Sequence, residues 1–336
     1  MLMYLLRRLL LMIPTLIGMT LLLFCIVRFA PGVGSAGAYG EGGQMRNQQA
    51  RAAVELALKK RLHLVDKSGK TISLPMQYTY WFKDTFTGDF GDSVQYNEPV
   101  LQLLKERIPV TIVLNILSTA IVYLIAIPGG MLAAVRRGRF FDVSWNFFTL
   151  GLFSLPIIWV GGMLVGFLAN PRYLGWFPAA GIHSTNTEWM TSTQYAGDYV
   201  WHIVLPVLCL SYAGFAYLSK IQRAAMLDNL GLDYVRTARA KGVPEHIVIT
   251  RHVFRNSLLP MITLFAGIIP GLLGGSVVVE HIFSIKGMGD LMLNATLAND
   301  LPIVQAVAFI GSIISLICLL ITDICYAVAD PRVSYE

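Results

Sequence analysis

The strongest constraint on this chain is a series of long apolar segments, each close to the roughly 20 residues that a helix needs to cross a bilayer core. Only 14% of the 336 residues are charged, whereas a soluble domain carries about 25%. The apolar segments, whose few ionisable residues lie toward their ends, span 9–29, 109–135, 143–168, 202–220, 256–279 and 303–328. This pattern predicts an all-α polytopic membrane protein with six transmembrane helices.

The basic residues of the short connections predict the orientation of these helices, because arginine and lysine collect beside the cytoplasmic ends of membrane spans. Here they precede the first span, fill the turn 136–139, populate 220–255 and follow the last span. The opposite short connections carry only Arg172 and Lys286. Both termini are therefore expected in the cytoplasm.

The predicted spans and their orientation divide the chain into three parts. Residues 1–30 form the first transmembrane helix, which is too long for the core of a cleaved signal peptide. Residues 31–108 form an external segment on the periplasmic side, and residues 109–336 form a five-helix core that includes the polar cytoplasmic loop 220–255.

Several classes of function find no support in the residues. No dense basic run suggests nucleic-acid binding, and no ionisable residue stands near the centre of a span, where an ion-coupled carrier would place one. No nucleophile, base and acid fall on one side of the membrane as an enzyme requires. Residues 67–71 resemble the end of a phosphate-binding loop, but Leu64 stands where that loop needs glycine. We expect no catalytic residue, cofactor or metal site in this chain.

The loop 220–255 carries the signals of two short helices meeting at a corner. Asp233 is suited to cap the first helix, and Gly242 is suited to the left-handed position that ends it. Pro244 is suited to the first position of the second helix, with Glu245 near its positive end. The loop is therefore predicted to bind another protein; the alternative is a solvated basic loop that only fixes topology.

Glycines and prolines of the fifth span are candidates for a flexible helix that lines a pathway, because such residues allow bending and close helix approach. The alternative is ordinary helix packing within the membrane. The candidates are Gly267, Pro270, Gly271, Gly274 and Gly275.

Motifs along nearly the whole chain resemble those of dipeptide and oligopeptide ABC-importer permeases. The segment from Thr237 to Gly242, continued by Arg251-His252, Arg255-Asn256 and Leu258-Leu259-Pro260, resembles the EAA loop with which these permeases grip their ATPase. Further matching segments are 4–14, 30–32, 88–93, 107–111, 280–289, 300–305 and 330–332. The glutamate that names the loop is replaced here.

The resemblance implies a type I ABC-importer permease fold in a bacterial inner membrane. It also implies assembly with a second homologous permease, two ABC ATPase subunits that bind ATP and Mg, and an extracytoplasmic substrate-binding protein. The expected cargo is a peptide; a nickel chelate, a sugar or a peptide antibiotic are alternatives, as is a stand-alone channel or ion-coupled carrier. The residues expected to contact an ATPase are Tyr234, Arg236, Thr237, Ala238, Arg239, Ala240, Lys241, Gly242, Val243, Pro244, Glu245 and His246.

Overall fold

The structure is a computed structural model that describes residues 2–29, 56, 59–60, 62–66, 68–258, 260–261, 264 and 275–329. The regular secondary structure of these residues is helical, with two isolated β-bridges, Val65 to Thr71 and Asp92 to Pro99. In chain order the helices are α1 (Leu2–Arg28), α2 (Leu74–Phe86), α3 (Val100–Val135), α4 (Phe140–Ser154), α5 (Ile157–Met163), α6 (Ser192–Leu230), α7 (Asp233–Ala240), α8 (Glu245–Ile247), α9 (Phe254–Ser257), α10 (Val277–Ile282), α11 (Met288–Leu297) and α12 (Leu301–Ala329).

Four helices in the described part of the chain are long and apolar enough to cross a membrane: α1, α3, α6 and α12. They contain the predicted spans 109–135, 202–220 and 303–328 and nearly all of 9–29. Two of them extend well beyond the predicted membrane spans, since α3 begins at Val100 and α6 continues to Leu230. The chain is thus a multi-pass membrane protein. Most of the predicted span 256–279 lies outside the described residues.

The predicted span 143–168 is not one straight helix. It consists of α4 and of α5 with its π-helical continuation Leu164–Ala169, and the two parts are bent by 95°. The bend falls at Leu155, which is extended at φ −84° and ψ 128°. Pro156 follows, and a proline both lacks a backbone N–H and drives the preceding residue out of the helical region. The sequence predicted a span over these residues but not this bend, and the two helices together are long and apolar enough to form one broken span.

The chain divides into two compact units. One comprises the described residues of Met1–Pro109 and Gly287–Leu320. Its core is built by the start of α3, by α11 and by the start of α12, through Val100, Leu103, Leu104, Met288, Leu291, Ala295, Ile303 and Ala306.

A buried carboxylate ties two distant segments of this first unit together. Asp300, which directly precedes α12, is fully buried. Its Oδ2 atom accepts hydrogen bonds from the Ser93 hydroxyl at 2.5 Å and from the Gln95 amide at 3.0 Å. Because a buried carboxylate is costly without donors, these two bonds hold residues 93–95 against the start of α12.

The second unit comprises the described residues of Val110–Lys286 and of Ile321–Ser334. Within it, α4 and α6 are joined by the ion pair between Asp142 and Arg223. Arg223 donates from Nε and Nη2 to the two carboxylate oxygens at 2.6 and 2.9 Å, while Gly138 N–H and Asn146 Nδ2 donate at 2.9 and 2.7 Å. Asp142 is buried and has all of these donors, so the pair fixes the relative position of the two helices.

Close approach of α3 to α6 requires glycine at position 130. A Cβ atom added there would lie 2.6 Å from the Ser219 carbonyl oxygen and 3.0 Å from Gln222 Cβ. The first of these neighbours is backbone of α6, which cannot rotate away as a side chain does. The two helices therefore pack at a distance that only glycine permits.

We predict that Gly130→Ala destabilises the protein by about 1–3 kcal/mol, because the methyl group would force α3 and α6 apart. Thermal unfolding of the detergent-solubilised chain, followed by intrinsic fluorescence, measures this loss. Gly151→Ala is the matched control: Gly151 also lies within a helix of this unit, but a Cβ there meets nothing within 4 Å, and alanine favours helix. Equal unfolding temperatures for the two variants would contradict the packing argument.

Candidate functional site

The loop 220–255 begins as an extension of α6 and continues in four short helical elements. Helix α6 ends at Leu230 and α7 runs over Asp233–Ala240. A corner at residues 241–244 leads into α8, which continues as a π-helix over Val248–Val253 and then as α9. The predicted arrangement of two short helices around Gly242 is present.

The corner is closed by a Schellman arrangement of backbone hydrogen bonds. Gly242 N–H donates to Arg239 O at 3.0 Å, and Val243 N–H donates to Ala238 O at 3.2 Å. Gly242 has φ +75°, a left-handed conformation that costs glycine little and other residues more. Val243 packs on the same apolar cluster as Ala238, which is the contact that accompanies this motif.

Two of the predicted end positions differ by one residue from the structure. The cap position before α7 is Leu232, which makes no side-chain capping bond, and Asp233 is the first helical residue. Its carboxylate still lies near the positive helix end. Pro244 is the cap of α8 and not its first residue, with φ −55° and ψ 138°. Capping patterns indicate where helices begin only to within one or two residues.

The loop has a buried face and an exposed face. Val235 and Ala238 of α7 are buried with Ala134 of α3, Met226 of α6 and Val248 of the π-helix. Tyr234 is half-buried, and its hydroxyl donates to Asn229 Oδ1 at 3.0 Å. The packing joins α7 to the adjoining ends of α3 and α6, so these elements form one body.

The exposed face carries most of the residues predicted to contact a partner. Ala238 is buried and Tyr234 and Val243 are half-buried, so these three residues belong to the buried face of the loop. The other predicted residues are exposed: Arg236, Thr237, Arg239, Ala240, Lys241, Gly242, Pro244, Glu245 and His246. Sequence alone did not separate these two groups.

An ion pair spans the corner between α7 and α8. Arg239 donates from Nε and Nη2 to the two oxygens of Glu245 at 3.0 and 2.6 Å. These hydrogen bonds lower the pKa of the Glu245 carboxyl and raise the pKa of Arg239. The sequence predicts for Glu245 only a favourable position near a helix end and gives no signal for this partner six residues earlier.

The pathway candidates lie almost entirely beyond what the structure describes. Gly267, Pro270, Gly271 and Gly274 are outside the described residues. Gly275 is described, with φ +67°, and it precedes α10. On α10, Glu280 is buried and accepts a hydrogen bond from the Thr111 hydroxyl of α3 at 3.0 Å. This buried contact has no local sequence signal, because its partners are 169 positions apart.

We expect the ion pair of Arg239 with Glu245 to slow hydrogen exchange at the corner in a pH-dependent way. Because Arg239 lowers the pKa of Glu245, the ion pair should stabilise the folded corner fully at pH values above the unfolded pKa of this carboxyl. This stabilisation should be lost as the pH falls through the lowered pKa that Glu245 has in the folded protein. The side chains are 43% and 54% exposed, so solvent screening limits the coupling free energy to about 0.2–1 kcal/mol. Hydrogen exchange of the Val243 amide in wild type and in Arg239→Gln measures this difference.

The double reversal Arg239→Glu with Glu245→Arg is the control for that experiment. It should restore most of the protection lost in either single reversal, because the pair is kept with its charges exchanged. Identical exchange of wild type and Arg239→Gln at neutral pH would show that the pair does not stabilise the corner.

Comparison with known proteins identifies the family. Residues 126–335 match the model of the binding-protein-dependent transport system inner membrane component. The chain is 36% identical to the oligopeptide transport system permease protein AppB of Bacillus subtilis over 99% of both chains. It is 35% identical to the inner membrane ABC transporter permease protein YejB of Escherichia coli O157:H7, again over 99% of both. A peptidoglycan transport system permease protein YejB of Agrobacterium fabrum is 33% identical over 99% of this chain and 98% of that protein.

These matches cover the exposed loop with its Gly242 corner and extend over the apolar helices on either side of it. The resemblance stated from the motifs is thereby confirmed, and the chain belongs to the family of inner-membrane permease components of binding-protein-dependent ABC transport systems.

Proposed function

We propose that this chain is a membrane-spanning permease subunit of an ATP-driven importer that translocates di- and oligopeptides by alternating access. The observation that carries the proposal is the exposed α7–α8 corner, whose buried face is continuous with the ends of α3 and α6. A partner that moves this corner would move two membrane helices with it. Such rigid-body motion of packed helices is a common way of switching between two states.

The partner proposed for the corner is an ABC ATPase subunit. The exposed surface of the corner offers basic and polar side chains around the ion pair of Arg239 with Glu245. These side chains are Arg236, Thr237, Lys241 and His246. A permease subunit is not itself a catalyst, and this sequence has no complete phosphate-binding loop. ATP and Mg would therefore be bound by two partner ATPase subunits.

The remaining partners follow from the family and from the topology. A second, homologous permease would complete the pathway, and a substrate-binding protein would deliver cargo from outside. With both termini in the cytoplasm, residues 31–108 face the binding protein and the loop 220–255 faces the ATPase. The positive-inside distribution of arginine and lysine supports this orientation.

Peptide is the cargo that the relatives favour. The similar proteins include permeases named for oligopeptide and for peptidoglycan transport, and others named for putative peptide transport. Nickel chelates, peptide antibiotics and a stand-alone channel receive no comparable support. The translocation itself needs no covalent chemistry, so a permease without catalytic residues is sufficient.

We predict that Gly242→Val uncouples ATP hydrolysis from uptake. A β-branched residue is strongly disfavoured at φ +75°, so the corner should open and the exposed face should lose its geometry. In proteoliposomes containing the assembled transporter, binding protein and a labelled dipeptide, uptake should fall more than ten-fold while the chain remains membrane-inserted. ATP hydrolysis should lose its stimulation by binding protein.

Gly242→Asn is the matched control, because asparagine tolerates the left-handed conformation far better than valine. It should keep most of the uptake. A Cβ at this position meets nothing within 4 Å in this chain, so the Cβ atom that both variants add does not itself clash within the chain. Normal coupled uptake by Gly242→Val would contradict the assignment of the corner to the ATPase.

Affinity purification of the tagged chain in mild detergent tests the assembly itself. We expect a second six-span permease and ATPase subunits with phosphate-binding loops to be recovered with it. Recovery of the chain alone, repeated after cross-linking in intact membranes, would favour a stand-alone channel or carrier.

A further inference from the structure

A cavity of about 810 Å³ lies in the first unit, beside the end of α1. The end of α1, the described residues near 60–63, α2, the segment 87–94 and the start of α12 all contribute to its wall. This size is sufficient for a drug-sized ligand. None of the residues predicted to contact an ATPase or to line a pathway belongs to it.

The cavity is amphipathic. Its apolar lining comes mainly from Phe24, Val27, Trp81, Phe90, Leu301 and Pro302. Its charged lining comprises Arg28, Lys60 and His63 on the basic side and Asp84, Asp89 and Asp92 on the acidic side. A ligand that fits such a lining has an apolar part and a polar part that carries both signs of charge.

Arg28 is the basic group best placed to bind an anion. Its side chain is half-buried at the end of α1, and no carboxylate among the described residues forms an ion pair with it. A half-buried guanidinium without a counter-ion favours a phosphate or carboxylate ligand, because the guanidinium donates in a fixed fork that suits such groups. The exposed Lys60 ammonium at the same cavity adds to the positive charge.

The acidic residues form a negatively charged part of the cavity lining, opposite in sign to Arg28 and Lys60. Asp84 accepts a hydrogen bond from His63 Nε2 at 2.6 Å, and Asp89 accepts one from the Gly91 amide at 3.1 Å through Oδ1. Asp84 is half-buried, Asp89 is exposed and both line the cavity, so their carboxylates can accept hydrogen bonds from a ligand cation. The basic and acidic parts of the lining together suit a zwitterionic ligand, which carries one anionic and one cationic group.

The walls of the cavity are held in place before any ligand arrives. The bonds from Ser93 and Gln95 to Asp300 fix the segment that follows the 87–92 wall to the start of α12. On the other side, the Phe24 ring packs on Tyr78 and Trp81 with centroids 5.5 and 5.8 Å apart. A preformed cavity lowers the entropy cost of binding.

The position of the cavity at the end of a membrane span indicates where the ligand comes from. Leu22, Ile26 and Phe29 of the same helix end are 65–73% exposed, which fits a surface in contact with lipid tails. Arg28, between Ile26 and Phe29, instead lines the cavity. Tyr78, Tyr80 and Trp81 on α2 are typical of the membrane interface.

We propose that this cavity binds the headgroup of one phospholipid of the adjoining leaflet, specifically a zwitterionic lipid with a primary ammonium. Its phosphate would bind Arg28 and its ammonium would bind Asp84 and Asp89. The start of its acyl chains would pack along Phe24 and Trp81. The site depends neither on ATPase docking nor on the identity of the cargo.

Native mass spectrometry of the delipidated full chain, titrated with short-chain phosphatidylethanolamine or phosphatidylglycerol, tests the proposal. Phosphatidylethanolamine should bind one to one, and Arg28→Gln should weaken its binding about ten-fold, since a lost hydrogen bond to a charged group is of that size. Asp89→Asn should abolish the preference for phosphatidylethanolamine over phosphatidylglycerol while keeping the bond from Gly91.

Arg172→Gln is the matched control. Arg172 is an exposed arginine predicted on the same side of the membrane but outside the cavity, and its loss should not change lipid binding. Equal affinity of the wild type for both lipids would overturn the zwitterionic assignment. Unchanged binding in Arg28→Gln, or displacement of the lipid by a dipeptide, would overturn the site. Because the measurement uses no transport step, its failure would leave the proposed importer function untouched.

Discussion

Within a bilayer no water is available to hydrogen-bond the backbone, and the architecture of this chain follows from that constraint. Each apolar segment must satisfy its own N–H and C=O groups, which accounts for the long continuous helices α1, α3, α6 and α12. The same constraint explains why the bend between α4 and α5 is confined to Leu155 and Pro156. A break of two residues leaves few backbone groups unpaired, and the Leu155 carbonyl accepts a hydrogen bond from the Tyr212 hydroxyl at 2.7 Å.

Once helices are imposed, a few buried carboxylates tie distant parts of the chain together. Asp142 pairs with Arg223, Asp300 with Ser93 and Glu280 with Thr111, across 81, 207 and 169 positions. A carboxylate in such surroundings is costly unless donors meet it, so each one specifies a particular neighbour. Apolar contacts between helices tolerate small shifts, whereas these polar contacts do not. They therefore act as fixed points of the two units.

The corner at Gly242 combines local and tertiary effects. Its turn is a local matter, since the left-handed glycine and two backbone hydrogen bonds close it. Its rigidity is tertiary, because Val235 and Ala238 are buried together with side chains of α3 and α6. A loop with only the first property would be well formed but free to swing. With both, a force on the exposed face reaches the membrane helices, as the proposed coupling to an ATPase requires.

The sequence by itself determined the helical membrane class, the positions of the four long apolar helices, the family and the turn at Gly242. These follow from apolar length, charge placement and residues within a few positions of one another, so they need no knowledge of distant contacts. Tertiary structure alone decided the 95° bend between α4 and α5, the division of the loop into a supporting and an exposed face, and the partners of the buried carboxylates. It also formed the amphipathic cavity beside Arg28. All of these depend on which helices pack together, and packing brings together residues that the linear sequence keeps far apart.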